Sequence, residues 1–133
     1  MRKEEILMIP KFRARDSRGN WHIGLLTFMF SQYAIVNEID ENTVYLIDKG
    51  TIGQSTGLKD KNGVESWEGN YLIKEGCWPF FIKWIENEGC LMAVPVNSVQ
   101  KTNWKPVSVK ELLDKGYVNN SNIYENPELL EGK

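Results

Sequence analysis

The chain has 133 residues, of which 41% are hydrophobic, and a formal net charge of -2. This length fits one domain or two small subdomains that share a core, and the apolar and aromatic content argues against intrinsic disorder. The slightly acidic balance excludes nucleic-acid binding through the global charge but leaves a local basic patch open.

The first predicted element is a β-hairpin within residues 9–25. Lys11, Arg13 and Arg15 alternate with apolar residues, and this period of two is typical of a strand with one basic face. The polar run at residues 16–20 supplies the turn. The basic face is either a phosphate-contacting stripe or a solvated strand face that discourages edge pairing, and it gives the candidate nucleic-acid contacts of this chain.

The next segments complete an N-terminal β subdomain of about residues 9–56. Residues 26–36 form an apolar run that fits a buried strand or a helix equally well, and the β-branched and aromatic surroundings favour the strand. Residues 43–47 and 51–55 predict two further strands, because each is β-branched and bounded by turn residues.

A hairpin is predicted over residues 57–70, at the middle of the chain. Asn62 and Gly63 are the residues that a two-residue type I′ turn requires, since both central positions need a positive φ. This turn would place Leu58 opposite Trp67 and so fix the register by an apolar pair.

The same stretch is rich in charge but matches no catalytic or metal pattern. As a calcium loop anchored at Gly63, it would put Leu58 and Gly69 at the two ligand positions that need carboxylates. Glu65 and Glu68 would lie on opposite faces of a strand, which separates them as an acid/base pair. The single histidine has no nucleophile placed by the sequence. We therefore expect no catalytic residue, no metal, no cofactor and no small-molecule ligand, and a protein that is not an enzyme.

Residues 71–104 are predicted to form an SH3-like small β-barrel, because several short strands alternate with closely spaced turns. The strand in residues 77–86 is apolar on both faces, so it is either central to the core or shared with a second subunit. Its candidate oligomer contacts are Trp78, Phe80, Phe81 and Trp84.

The C-terminal part, residues 105–133, is predicted to contain short helices. Ser108 and Glu111 form a capping box, and Gly116 ends the helix that follows. Pro127 would occupy the first position of a second helix. The N-terminus lacks the apolar core of a signal peptide, and two cysteines without a CxxC spacing suit a reducing compartment. We expect a cytoplasmic protein with no membrane contact.

Three separated motifs in this chain resemble the YopX family. The central motif lies in residues 53–69, an opening strand motif in residues 11–14 and a closing motif in residues 122–130. The resemblance is specific because the motifs occur in the family's order and span almost the whole chain. The central signature, which we interpret as structural, consists of Gly57, Leu58, Asp60, Asn62, Gly63, Glu68 and Gly69.

The resemblance implies a phage or prophage accessory protein of the bacterial cytoplasm, without known catalytic residues to transfer, and a β-rich homo-oligomer. Arg15 and Ser55 stand where the family commonly has aromatic residues, Ser66 where it has an apolar residue and Asn70 where it has an aspartate. What depends on those side chains in the family does not transfer to this chain.

Together these observations predict a single domain of the mainly β class, bordering on α+β. It would have an N-terminal β subdomain, the SH3-like small barrel and short C-terminal helices. The first functional hypothesis is a non-enzymatic protein that acts by binding and self-assembly. The alternative is a nucleic-acid-binding small-barrel module that uses Lys11, Arg13 and Arg15.

Overall fold

The computed structural model describes residues 10–96 and 105–131. These residues confirm a mainly β protein with antiparallel sheets, and the chain divides into two compact units, residues 1–54 and 55–133. No helix among the described residues is long and apolar enough to cross a membrane.

The first unit is a meander of four antiparallel strands that ends in a single 3-10 turn. The strands are β1 (Phe12–Arg15), β2 (Trp21–Met29), β3 (Gln32–Asn37) and β4 (Val44–Leu46), and the 3-10 turn is Lys49–Thr51. Strand β5 (Gly53–Lys59) follows, and its first two residues pair with β1.

The predicted N-terminal hairpin is confirmed, since Arg15 lies opposite Trp21 and Phe12 lies opposite Gly24. The ambiguous residues 26–36 form a second hairpin rather than one strand or a helix. Met29 pairs with Gln32, which leaves Phe30 and Ser31 as a two-residue turn with φ angles of 52° and 63°. Neither residue is typical of a turn that needs two positive φ angles, so the sequence did not reveal this reversal.

The second unit contains the rest of β5, an antiparallel sheet, one α-helix and a C-terminal 3-10 helix. Its further elements are β6 (Glu65–Trp67), β7 (Asn70–Ile73), β8 (Phe80–Ile85), β9 (Cys90–Pro95), α1 (Val109–Asp114), β10 (Val118–Asn122) and the 3-10 helix Pro127–Glu131. In hydrogen-bonding order, one sheet reads β4-β3-β2-β1-β5-β6 and the other reads β10-β7-β8-β9.

The predicted small barrel is not closed in the described part of the chain. The four-stranded sheet ends at β10 on one side and at β9 on the other, and these two strands do not pair with each other. On the side of β9 that does not face β8, an isolated antiparallel bridge joins Ala93 to Val107. The antiparallel meander from β7 to β9 was predicted correctly, but the last strand, β10, joins β7 after the helix instead of extending the meander.

The core of the second unit lies between this sheet and α1. Leu72, Ile82 and Ala93 are fully buried on one face of the sheet, and the helix covers them with Leu112 and Leu113. The Ser108 hydroxyl accepts a hydrogen bond from the backbone N–H of Glu111 at 3.2 Å, so the predicted helix start is confirmed. Burial of these apolar side chains is what holds a helix of only six residues in place.

Candidate functional site

Asp60, in the second unit, closes the loop of the central hairpin. Its backbone N–H donates to the carbonyl of Val64 at 2.9 Å, and its own carbonyl accepts from the N–H of Gly63 at 2.9 Å. Only Gly63 of the loop residues has a positive φ, of 81°. The loop therefore has three residues, a type I turn followed by a left-handed residue, and the predicted two-residue type I′ turn is wrong.

The physical reason for the longer loop is the Asp60 side chain. Its Oδ1 accepts from the backbone N–H groups of Asn62 at 2.9 Å and Val64 at 3.0 Å, which stabilises the type I turn. The longer loop and a further irregularity between Ser55 and Lys59 change the register, so that Trp67 lies opposite Ser55 rather than opposite Leu58.

The second carboxylate oxygen of Asp60 binds a strand far away in the sequence. Oδ2 accepts from the backbone N–H of Asn119 in β10 at 2.9 Å and from its side-chain amide at 3.1 Å. Burial opposes ionisation of this carboxyl, which is only 6% exposed, but the hydrogen bonds from Asn119, Val64 and Asn62 outweigh burial and lower the pKa of Asp60. The ionised Asp60 carboxylate thus joins the hairpin to β10 through hydrogen bonds.

The glycine at the end of the central signature provides a second attachment. Gly69 donates its N–H to Ile82 at 2.8 Å and accepts from the N–H of Ile123 at 2.9 Å, with a φ of 95°. A Cβ at this position would lie 2.7 Å from the Tyr124 ring, so only glycine fits. The central signature and the closing motif are therefore in direct contact.

The acidic residue Glu65 is hydrogen-bonded to a serine across the hairpin. Ser55 donates a short hydrogen bond to the carboxylate of Glu65 and accepts from the N–H of Gly57 at 2.9 Å. The hydroxyl of Ser66 is fully buried and has no hydrogen-bond partner within the described structure. The Ser55 hydroxyl therefore joins the Glu65 side chain of β6 to the backbone of β5.

The basic residues of β1 are stacked on an aromatic ring. The guanidinium carbons of Arg13 and Arg15 lie 4.6 Å and 5.6 Å from the centroid of the Trp21 ring. Lys11 and both arginines are half-buried. The structure thus brings two of the three predicted nucleic-acid contacts together, and it gives them a packing role on Trp21.

The aromatic residues proposed as oligomer contacts are divided between core and surface. Phe80 packs against the core and meets the ring of Tyr117 edge-on at 5.6 Å. Phe81 is half-buried, whereas Trp78 and Trp84 are 49% and 46% exposed. Only the two tryptophans present large apolar surfaces to a partner.

The single histidine, His22, is held in the first unit. Its ring stacks on Tyr45 with a centroid distance of 3.7 Å, and its Nε2 is 2.8 Å from the Asp16 carboxylate. This hydrogen bond, followed by one from the N–H of Asn20, holds the pKa of Asp16 well below its usual value. In residues 10–96 and 105–131, no cluster of three or more His, Cys, Asp or Glu side chains could hold a metal ion.

An apolar surface in the first unit was not singled out in the sequence. From the strand register, Leu25, Val36 and Val44 form a row across β2, β3 and β4, and Leu46 follows in the next row on the same face. Alternation in short strands does not reveal which apolar face lacks a cover, so sequence reasoning could not identify this surface. The exposed large apolar residues of the segment are Leu25, Phe28, Phe30, Tyr33, Ile39, Val44 and Leu46.

Comparison with known proteins identifies relatives of nearly the whole chain. A family model described as "YopX protein" matches residues 11–131. Among solved structures, protein EF1440 from Enterococcus faecalis is similar, with a TM-score of 0.56 and 29% sequence identity, over 94% of this chain and 100% of that one. A search of curated proteins found no match.

Proposed function

The chain belongs to the YopX family, and we propose that it is a phage or prophage accessory protein of the bacterial cytoplasm that acts by binding and self-assembly. The charged side chains of the central signature support this proposal, because they are used in bonds within the chain. Asp60 is the clearest case, with hydrogen bonds to two segments of backbone. A catalytic carboxylate would need a face open to substrate.

The observation that carries the self-assembly proposal is the apolar face of the first unit. Leu25, Val44 and Leu46 share one face of β2–β4, and they are 51%, 38% and 48% exposed. Exposed apolar patches mark interaction sites, because removing apolar surface from water lowers the free energy.

The occupant that we propose for the β4 end of this face is a second copy of the chain. Strand β4 is the last strand of its sheet, and its outer edge has no partner strand in the described residues. Two β4 edges in antiparallel contact would continue the sheet and bring the Val44 and Leu46 side chains of both copies together. The same surface would then be used by both subunits, as a two-fold contact requires.

Light scattering and sedimentation over a range of protein concentrations test this proposal. We expect a multimer for the natural chain and a shift towards monomer for Leu46→Lys. Val64→Lys is the matched control, because Val64 is also 48% exposed but lies beside the central loop. A natural chain that stays monomeric at high concentration would overturn self-assembly. Dissociation by Trp84→Lys, and not by Leu46→Lys, would move the interface to the aromatic strand β8.

The phage setting is tested separately by the genes beside this one. We expect phage structural, replication or lysogeny genes on both sides of the coding sequence. A locus surrounded only by chromosomal metabolic genes would contradict the accessory-protein proposal without affecting the self-assembly experiment.

A further inference from the structure

The second unit contains a cavity of about 300 Å³ on the sheet face opposite α1. This volume lies at the lower end of the range for small-molecule sites. Its walls come from β7 and β10, from the segments before β8 and after β9, and from the C-terminal 3-10 helix. Six of the lining residues are apolar or aromatic: Tyr71, Ile73, Trp78, Pro79, Val96 and Leu129.

The O–H and N–H groups of the aromatic walls already donate hydrogen bonds to backbone carbonyls of the protein. The Tyr71 hydroxyl donates to the carbonyl of Asn126 at 2.7 Å, and the Trp78 indole N–H donates to the carbonyl of Val96 at 3.0 Å. These walls have no donor left for a carboxylate or phosphate, and burying an anion without donors is unfavourable. The Tyr71 and Trp78 walls therefore offer an anion no donor, and the side-chain amide of Asn120 is the polar group in the lining.

One glutamate, Glu128, lies beside the cavity. Glu128 precedes the lining residue Leu129, and its charge, after burial, contributes to raising the pKa of the Tyr71 hydroxyl. The nearest lysine along β7, Lys74, donates to the carbonyl of Lys115 at 2.6 Å. An apolar cavity with aromatic walls and a carboxylate beside it suits a cation with an apolar body.

We propose that this cavity binds a hydrophobic ammonium group, as part of a free organic amine or of a lysine side chain in a peptide. The apolar body would occupy the space between Ile73, Pro79 and Leu129. The ammonium would lie near the Tyr71 and Trp78 rings on the side of Glu128. The amide of Asn120, which also lines the cavity, supplies a carbonyl oxygen that can accept from the ammonium.

Three probes of similar size test the charge preference: 2-phenylethylamine, 2-phenylethanol and 3-phenylpropanoate. Each is titrated into the full chain while the Trp78 indole N–H resonance is followed by NMR. We expect the amine to bind about 2- to 5-fold more tightly than the alcohol, the range for a partly exposed cation–π contact, and the carboxylate to bind least. A capped peptide with a central lysine, titrated in parallel, distinguishes the peptide source from the free amine.

Three variants test where the ammonium group binds. Glu128→Gln should remove the preference for the amine and leave binding of the alcohol unchanged, whereas Glu86→Gln, an exposed glutamate in the β8–β9 turn, should change neither. Leu129→Trp should weaken all three probes by filling the cavity mouth. The proposal fails if no probe shifts the Trp78 resonance, if the carboxylate binds as well as the amine, or if Glu128→Gln retains the full preference.

Discussion

Replacing Asp60 by asparagine tests the central structural argument, because the change keeps the size of the side chain and removes its charge. The carboxylate accepts four hydrogen bonds, two at each oxygen. An asparagine can keep the two bonds to Asn62 and Val64 through its carbonyl oxygen. Its amide group would then face the two N–H donors of Asn119, so both bonds to Oδ2 would be lost, and the Asn119 side-chain amide would keep its bond to the carbonyl of Val64 at 3.1 Å.

The expected cost follows from those two lost bonds. Hydrogen bonds to a charged group contribute about 1.5–3 kcal/mol each, and neighbouring bonds are not additive, so we expect a loss of about 2–4 kcal/mol in the free energy of unfolding. For a chain of this length the loss corresponds to a fall in Tm of roughly 6 to 16 °C.

The effect should also depend on pH. The pKa of Asp60 is lowered in the folded state, so the carboxylate contributes fully above its unfolded pKa of about 3.9, and the contribution is lost as the pH falls through the folded value. The difference between the natural chain and Asp60→Asn should therefore be constant near neutral pH and shrink below about pH 4.

Thermal and urea unfolding measured from pH 3 to pH 7 provide the assay. Asp40→Asn is the matched control, because Asp40 accepts from the N–H of Asn42 and the hydroxyl of Thr43 within one surface turn and reaches no distant strand. If Asp60→Asn unfolds like the natural chain, or only as much earlier as Asp40→Asn, then the bond between the hairpin and β10 does not stabilise the fold as we argue.

Three further predictions concern the same two units. Gly63→Ala should lower the free energy of unfolding by about 1–2 kcal/mol, because the φ of 81° is strained for alanine although a Cβ would have open space. Gly63→Asn should lower it less, since asparagine tolerates a positive φ. A Gly63→Ala variant with the Tm of the natural chain would contradict the loop assignment. Ser66→Ala should raise the free energy of unfolding by about 1 kcal/mol in urea melts, since it removes a buried hydroxyl without a partner, and a lower stability would show that the hydroxyl is satisfied. If β1 contacts nucleic acid, fluorescence anisotropy of a labelled oligonucleotide should show salt-sensitive binding whose slope falls by about 2 when Arg13 and Arg15 are replaced by Gln; absence of binding at low salt would remove this alternative.

The extent to which the sequence predicted this fold depends on how local each signal is. The first hairpin was correct because its turn and its alternating strands lie within one short segment, with Arg15 opposite Trp21. The start of α1 was correct for the same reason, since the Ser108 cap acts on a residue three positions away. Both features follow from bonds whose partners are close in the sequence.

The features that the sequence did not predict depend on partners that are distant in the chain, or on turn residues that are compatible with two loop lengths. Asn62-Gly63 fits both a two-residue and a three-residue loop, and the Asp60 side chain selects the longer one. The turn at Phe30 and Ser31 has no glycine, so only the pairing of its flanking strands shows it. The cavity is lined by five separate segments, and the periodicity of the sequence does not show which distant segments meet in the fold.

The role of the central signature follows from where its bonds lead. Asp60 binds Asn119, and Gly69 binds Ile123. Tyr71, next to the signature, then donates to Asn126 in the closing motif. Motifs that are separated by about fifty residues in the chain are thus hydrogen-bonded to each other in the fold, so these residues of this chain have a structural role. An activity has to be sought on surfaces that the signature leaves open, which are the apolar face of the first unit and the cavity beside Tyr71.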